Sequence, residues 1–172
     1  MADLSPDDLL PERFRDWFAT RGWAPRQHQL ELLKKTSEGH SCLLIAPTGA
    51  GKTLAGFLPS LIELADAPPR THPALHTLYI SPLKALATDV ARNLKTPVEE
   101  MGLDLTLETR TGDTSTSRRQ RQRAKPPDIL LTTPEQLALL VASEHAQRFF
   151  ADLRAVIIDE VHAIAQSKRG DL

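Results

Sequence analysis

Apolar residues recur at steps of three and four in several stretches of the chain, and this spacing places them on one face of an α-helix. The predicted helices cover residues 7–19, 25–33, 54–65, 83–94 and 134–140. The polar, basic segment 118–125 is predicted to form a further helix capped by Ser117. Pro59 lies inside the third helix, and since the apolar stripe continues past it, we expect a bend rather than an end.

Short continuous apolar runs separate these helices, as is typical of strands that are buried on both faces of a sheet. The predicted strands of this kind are residues 41–45, 77–80, 128–132 and 155–158. Residues 103–109 alternate apolar and polar and predict a half-exposed strand. Cys42 would lie at the start of the first, buried strand. Strands that alternate with helices predict an α/β fold with a mostly parallel sheet and helices on both faces. We expect an N-terminal helical region at 1–40 and the sheet-bearing domain at 41–172.

Ligands of such sheets bind at the carboxyl ends of the strands. Four segments with polar or glycine residues follow predicted strands at this end: the loop 46–53, Ser81-Pro82, Thr132-Thr133 and Asp159-Glu160. We therefore expect these four segments to gather along one edge of the sheet.

Composition narrows the class of protein. The 172 residues are 41% apolar, which excludes a disordered chain, and the net charge of −1 leaves nucleic-acid contacts to local loops. One cysteine excludes a disulfide framework or a cysteine-based metal cluster and is typical of the reducing cytoplasm. Because no apolar run approaches the roughly 18 residues of a membrane span, we expect no membrane partner.

The loop after the first predicted strand has the residues that bind a nucleoside triphosphate. It reads Ala46-Pro47-Thr48-Gly49-Ala50-Gly51-Lys52-Thr53. Backbone N–H groups of a tight loop and a helix N-terminus bind phosphate oxygens, and Gly49 and Gly51 let the backbone approach them. Lys52 is expected to reach the β- and γ-phosphates, and the Thr53 hydroxyl to bind Mg²⁺. Ala46 stands where the common P-loop pattern has glycine.

Asp159 and Glu160 supply the acidic groups that phosphoryl transfer needs. Asp159 would hold Mg²⁺, and Glu160 would orient or deprotonate the attacking water. Two acids at the end of a strand also commonly face solvent without a further role. A P-loop earlier in the same α/β unit favours the catalytic interpretation.

These motifs together resemble those of superfamily 2 helicases. Asp159-Glu160-Val161-His162 is similar to motif II, and the loop 46–53 resembles motif I, in which a first alanine is usual. The further similar segments are Pro25 with Gln29 (the Q-motif), 79–86 (motif Ia), 111–113 and 132–137. The segments 81–86, 111–114 and 167–170 resemble the Lhr-type DEXH helicases, and within them the bacterial DNA-ligase-associated DEXH-box group.

The resemblance implies a RecA-like P-loop NTPase fold that the chain leaves incomplete after motif II, and it implies a role for each matching residue. Residues implied to bind ATP are Gln29, Ala46, Pro47, Thr48, Gly49, Ala50, Gly51, Lys52 and Thr53. Those implied in catalysis are Lys52, Asp159 and Glu160, with Thr53 and Asp159 as ligands of Mg²⁺. Those implied in nucleic-acid binding are Ser81, Pro82, Lys84, Thr111, Gly112, Asp113, Thr133, Pro134 and Glu135. His162 would couple the nucleotide site to a moving neighbour.

Alternatives remain for several residues. Gln29, implied to read the adenine edge, is also compatible with a solvated helix face, and His162 with a packed or capping histidine. The basic residues of 118–125 are those of either a nucleic-acid contact or a solvated helix surface. Phe14, Trp17 and Trp23 are candidates for stacking on adenine, with core packing as the alternative.

The family implies an ATP-dependent helicase that moves 3′-to-5′ on single-stranded DNA in the cytoplasm, with a role in DNA repair and a DNA ligase or nuclease as candidate partners. A second RecA-like domain would supply an arginine finger, worth on the order of 10³–10⁵ in rate. We therefore expect this chain alone to bind ATP but to hydrolyse it poorly. The alternatives are a duplex DNA translocase that separates no strands and a non-catalytic nucleic-acid-binding module.

Overall fold

The computed structural model describes residues 5, 9–47, 49–68 and 71–165. The chain divides into two compact units: Met1–Ala67 with Thr96–Leu103, and Pro68–Lys95 with Asp104–Leu172. The predictions made for Thr48 and for 167–170 lie outside the described residues. Among the helices described, none combines the length and the apolar character that crossing a membrane requires.

The first unit is helical. Its helices are α1 (Glu12–Thr20), α2 (Gln27–Ser37) and α3 (Lys52–Asp66), and α2 packs against α3. The apolar stripes predicted from the spacing form its core, with Phe14, Leu30 and Phe57 almost fully buried. The helix α3 runs through Pro59 without ending, as expected.

The strand predicted at 41–45 is not present, and this prediction is wrong. Residues 41–47 have no regular secondary structure, Cys42 is exposed rather than buried, and the Leu43 and Ile45 side chains are 74% and 87% exposed. An apolar run becomes a strand only where a neighbouring strand takes up its backbone N–H and C=O groups. Within the described residues this segment takes part in no strand pairing.

The second unit is built on a four-stranded sheet. Its strands are β1 (Thr77–Ile80), β2 (Leu107–Arg110), β3 (Ile129–Thr132) and β4 (Ala155–Ile158). They lie in the order β2-β3-β1-β4, and every pair is parallel. Ile80 is in register with Thr132 on one side and with Ile158 on the other, so the carboxyl ends of these strands are level. The parallel sheet predicted from the alternating pattern is confirmed.

Helices cover both faces of this sheet. They are α4 (Lys84–Glu100), whose residues 96–100 belong to the first unit, α5 (Thr116–Ala124), α6 (Pro134–Val141), α7 (Ala146–Phe149) and α8 (Val161–Ala165). On one face Leu78 and Leu130 pack with Leu140 and Phe149, from α6 and α7. The middle of α4, at Thr88 and Ala91, lies beside Leu107 and Thr109 of β2.

The basic helix begins earlier than the sequence indicated, and the cap assigned to Ser117 is wrong. Ser115 is the N-cap: its backbone is extended, and its Oγ atom accepts the N–H of Arg118 at 3.4 Å. Ser117 already lies in the first turn of α5. A cap must stand before the first helical residue, with its side chain turned back to the third, and only Ser115 has that position.

Candidate nucleotide and nucleic-acid site

The glycine loop leads directly into α3. Gly49 and Gly51 have φ angles of +77° and +74°, in the left-handed region that only glycine adopts without strain. The Ala50 N–H donates to the Pro47 carbonyl oxygen at 3.2 Å and closes the turn between them. Gly51 is the N-cap of α3, so the N–H groups of the first helical turn are placed where an anion can bind.

Lys52 is the first residue of α3 and contacts the start of the loop. Its Nζ atom donates to the Ala46 carbonyl oxygen at 2.8 Å. Thr53, the next residue, is exposed. In this structure the ammonium group therefore closes the loop, and phosphate oxygens are the natural replacement for that carbonyl because they carry full negative charge.

Gln29 joins the start of α2 to the loop. Its side chain is only 3% exposed, which excludes the solvated helix face. The Oε1 atom accepts the Arg26 N–H at 2.9 Å, and Nε2 donates to the Gly51 carbonyl oxygen at 3.3 Å. The amide thus connects the N-cap of α2 with the last glycine of the predicted phosphate loop. Recognition of adenine by Gln29 stays a prediction.

The aromatic residues of the first unit divide by burial. Phe14 and Trp17 lie in the core, as the packing alternative predicts, and the Trp17 Nε1–H donates to Glu100 at 2.7 Å. Trp23 is 53% exposed, and the Arg21 guanidinium lies 5.3 Å from its ring centre. The cation and the ring form a stacked pair at the surface.

At the carboxyl edge of the sheet, three of the four predicted segments lie together. The Ser81 N–H donates to the Thr132 carbonyl oxygen at 3.0 Å, and the Asp159 N–H donates to that of Ile80 at 2.9 Å. Thr133 follows Thr132 directly and is the N-cap of α6. The parallel register therefore places these segments on one edge, as predicted. The loop 46–53 belongs to the other unit and is described by itself.

The Asp159 carboxylate is oriented by two hydrogen bonds. Its Oδ2 atom accepts the Tyr79 hydroxyl at 2.5 Å, and Oδ1 accepts the Glu160 N–H at 2.9 Å. A carboxylate oxygen is a ligand that Mg²⁺ prefers, and Mg²⁺ is commonly held by one or two carboxylates together with substrate phosphates. The donor set is therefore suited to Mg²⁺ carried by a nucleotide.

Glu160 has a rare backbone conformation. Its φ angle is +47°, and it alone among the non-glycine residues described has a positive φ. Its carbonyl oxygen accepts the Ala163 N–H at 2.8 Å, and Glu160 directly precedes the first residue of α8. The Oε2 atom lies 3.4 Å from Nε2 of His162, and the Glu160 side chain is 41% exposed. Such a conformation costs roughly 1–2 kcal/mol and is found most often at functional sites.

The residues predicted to contact nucleic acid differ in their exposure. Buried members of the set are Ser81, Pro82, Thr111, Thr133 and Pro134; Glu135 is half-buried. Lys84, Gly112 and Asp113 are exposed, and Lys84 Nζ donates to Asp113 Oδ2 at 2.9 Å. This ion pair connects the first turn of α4 with the turn after β2. Of the residues predicted to contact nucleic acid, these three are therefore the ones exposed at the carboxyl edge of the sheet.

The helix α5 places several of its basic residues against β2. Glu108 accepts Arg118 at 3.1 Å, Arg121 at 2.8 Å and the buried Gln122 amide at 2.8 Å. Burial alone would raise the pKa of Glu108, but the Gln122 hydrogen bond and the two guanidinium groups outweigh it and hold the pKa below its ordinary value. Neither interpretation of the basic segment 118–125 included these contacts with Glu108. The one indication in the sequence is that Glu108 occupies an exposed position of a predicted strand.

Two further polar residues were given no individual role: Tyr79, inside the predicted strand 77–80, and Arg110, just after the predicted strand 103–109. Tyr79 is 1% exposed and contacts Asp159. Arg110 is 1% exposed, and its Nε and Nη1 atoms have no hydrogen-bond partner among the described residues. Burial, together with the nearby Arg123 and Arg119 charges, lowers the pKa of Arg110 to about 10. A polar side chain in an otherwise apolar run was the available signal for Tyr79.

The chain is similar to known helicases along almost its entire length. Residues 26–172 match the family model described as DEAD/DEAH box helicase. The chain is 46% identical to the Lhr helicase/probable uracil glycosylase of Mycolicibacterium smegmatis over 91% of its length, and 36% identical to the ATP-dependent helicase Lhr-Core of Methanocaldococcus jannaschii over 95%. It covers 11% and 21% of these two relatives.

The fold of the chain is also similar to that of an Lhr helicase. A solved structure of the Mycobacterium smegmatis helicase Lhr, bound to single-stranded DNA and AMP-PNP, superimposes with a TM-score of 0.84 at 43% identity. This match covers 97% of the present chain and 22% of that chain. The RecA-like fold class and the resemblance to Lhr-type helicases are confirmed, whereas the narrower ligase-associated group stays a prediction. The chain belongs to the DEAD/DEAH box helicase family and, within it, is homologous to the Lhr helicases.

Proposed function

We propose that this chain is the ATP-binding portion of an ATP-dependent helicase that moves 3′-to-5′ on single-stranded DNA. The observation that carries the proposal is the Asp159-Glu160 pair, fixed by hydrogen bonds at the same sheet edge as Ser81 and Thr133. A carboxylate for Mg²⁺ and segments suited to a phosphate backbone are thereby adjacent. The related Lhr bound to single-stranded DNA and AMP-PNP supports both ligands.

The first part of the proposal concerns the nucleotide and gives a role to each residue of the predicted ATP site. The N–H groups of the loop 46–53 and of the first turn of α3 bind the phosphates, and Lys52 exchanges its Ala46 contact for them. Thr53 and Asp159 hold Mg²⁺, which when bound neutralises the charge that develops on the transferred phosphoryl group. Glu160 positions the attacking water, and Gln29 favours adenine.

In the nucleic-acid part, the contacts are made to the backbone rather than to bases. Lys84 is exposed at the rim, and the N-terminus of α6 lies directly behind Thr133. Phosphate contacts carry no sequence information, so the proposed substrate is bound without sequence preference and with strong salt dependence. Repair of DNA in the cytoplasm, with a ligase or nuclease as partner, belongs to the same proposal and follows from the family resemblance.

The chain spans about a tenth to a fifth of the length of the curated relatives described above. We propose that a second RecA-like domain of the full-length protein supplies the arginine finger, worth on the order of 10³–10⁵ in rate. This chain alone would then bind ATP and turn it over slowly. Vigorous turnover by the isolated chain in the presence of single-stranded DNA would contradict this part of the proposal.

The main test uses the full-length protein and its Glu160→Gln variant. We expect hydrolysis to be lost in the variant while binding of ATP, measured by calorimetry, is retained, because the amide keeps the shape but cannot act as a base. Glu144→Gln is the matched control, since Glu144 is 86% exposed and outside the proposed site. Unchanged turnover in Glu160→Gln would remove the role assigned to Glu160.

Strand-displacement assays separate the helicase from its alternatives. We expect the wild-type protein to unwind a duplex with a 3′ single-stranded tail and to leave one with a 5′ tail paired. ATP hydrolysis that is stimulated by duplex DNA without strand separation would identify a duplex translocase instead. Nucleic-acid binding without any hydrolysis would identify a non-catalytic module.

A further inference from the structure

Tyr79 and Asp159 meet because their strands are adjacent and in register. Tyr79 of β1 pairs with Ile157 of β4. Side chains two residues apart along a strand direction point to the same face, so Asp159, just past the end of β4, lies on the face of Tyr79. The phenol hydroxyl donates to Asp159 Oδ2 at 2.5 Å, the short distance typical of a hydroxyl bound to a charged carboxylate.

The Tyr79 hydroxyl is a buried hydrogen-bond donor. Its side chain is buried, at 1% exposure, in a strand whose other residues are buried too. Burial raises the pKa of the Tyr79 phenol well above its ordinary value, and the hydrogen bond to Asp159 raises it further. A buried phenol hydroxyl needs a hydrogen-bond partner, and the Asp159 carboxylate is that partner.

The bond leaves the carboxylate with a defined orientation. Oδ2 is held by Tyr79 and Oδ1 by the Glu160 N–H at 2.9 Å, so rotation of the carboxylate would break both contacts. Each carboxylate oxygen has two lone pairs, and one on each remains for a metal ion. Partners of this kind orient metal ligands and typically change metal affinity when they are removed.

We propose that Tyr79 is a positioning residue that fixes the Asp159 carboxylate for the Mg²⁺ of bound ATP and ties it to the strand that leads into Ser81. This inference rests on the proposed function. Ser81 is fully buried and follows β1 directly, two residues after Tyr79. Tyr79 thus stands between a segment expected at the nucleic acid and the carboxylate expected at the metal.

The test is the Tyr79→Phe variant of the full-length protein, which keeps the ring and removes only the hydroxyl. We expect the Mg²⁺ concentration for half-maximal ATP hydrolysis to rise about ten- to a hundredfold, as the loss of a hydrogen bond that orients a metal ligand predicts. Affinity for AMP-PNP, measured by calorimetry, should fall by a similar factor in Mg²⁺ and stay unchanged in EDTA. A residue that served packing alone would not produce this difference between the two conditions.

Thr77→Val is the matched control. Thr77 lies on the same strand and the same face, is fully buried, and its hydroxyl is 2.8 Å from His76 Nδ1 at the opposite end of the strand. It should lower thermal stability about as much as Tyr79→Phe without a change in Mg²⁺ dependence. If Tyr79→Phe does not fold, Tyr79→Met removes the same hydroxyl with a more adaptable side chain and must show the same shift.

Three outcomes are informative. An Mg²⁺ shift in Tyr79→Phe and none in Thr77→Val supports the inference. Equal Mg²⁺ dependence in Tyr79→Phe and wild type overturns it, provided the wild type binds AMP-PNP in an Mg²⁺-dependent manner. A wild-type protein without Mg²⁺-dependent nucleotide binding overturns the proposed function itself, and with it the inference.

Discussion

The side-chain amide of Gln29 lies against the backbone of Gly51, with Nε2 3.3 Å from the glycine carbonyl oxygen. The contact is close enough that a Cβ atom on Gly51 would come within 2.9 Å of the same Nε2. Gly51 is also in the left-handed region, at φ +74°. Glycine is therefore required at position 51 for two reasons: the backbone conformation and the close contact with Gln29.

Gly51→Ala should impair nucleotide binding as well as stability. The left-handed conformation costs an alanine about 1–2 kcal/mol, and the new methyl group must displace Gln29 from the loop. Since the loop is the predicted phosphate site, we expect ATP affinity, measured by calorimetry, to fall several-fold. Gly39→Ala is the control: φ there is +82°, but nothing lies within 4 Å of an added Cβ. Equal losses of affinity in the two variants would contradict the role of the Gln29 contact.

Lys52→Ala should weaken ATP binding by about tenfold or more, or at least ~1.4 kcal/mol. The ammonium group has a loop carbonyl as its partner in this structure, 2.8 Å away, and bound phosphates would give it a charged one. Calorimetric titration with ATP and Mg²⁺ measures the change. Lys35→Ala, at an exposed position of α2, should leave affinity unchanged. Undiminished affinity in Lys52→Ala would refute the phosphate contact.

The helices and the parallel strands could be predicted because their signals are local. The apolar stripe of α3 continues past Pro59 in the sequence, and the helix does the same. The run Thr77–Ile80 is a strand with the predicted bounds. The carboxyl-edge site followed from the general rule for parallel sheets, so Ser81, Thr133 and Asp159 were expected together before any register was known.

The features that could not be predicted depend on contacts between residues that are far apart in the sequence. The run 41–45 has the composition of a strand, but strand formation requires a neighbour, and none pairs with it among the described residues. The bond between Tyr79 and Asp159 depends on which strands are adjacent, and β1 lies beside β4 across 80 positions of sequence. The predicted strand 103–109 ends before Arg110, whereas β2 includes this residue and buries its side chain.

Arg110→Met should leave the protein as stable as the wild type or more stable. The guanidinium is buried, Nε and Nη1 have no hydrogen-bond partner in the part of the chain that the structure describes, and Arg119 and Arg123 oppose its charge. Replacing an unpaired buried charge by an apolar group of similar length is expected to gain about 1–3 kcal/mol in the free energy of unfolding. Urea denaturation measures the gain.

Arg92→Met is the control for Arg110→Met. The Arg92 side chain is 77% exposed and pairs with Asp89 at the surface, so its loss should change stability by less than about 0.5 kcal/mol. A marked loss of stability in Arg110→Met, with Arg92→Met unchanged, would show that the buried guanidinium has a stabilising partner in the protein.

Glu108→Gln should destabilise the protein at neutral pH and much less in acid. Glu108 holds Arg118, Arg121 and Gln122 of α5 on β2, and these contacts keep its pKa below the ordinary value. A lowered folded-state pKa stabilises the fold above the unfolded pKa of about 4.3, and this contribution is lost as pH falls through the folded value. We expect a loss of about 1–2 kcal/mol near neutral pH, reduced because the arginines are partly exposed. Urea denaturation of both proteins between about pH 7 and pH 3 checks it, and a difference that stays constant over this range would show that the charge of Glu108 is not the cause.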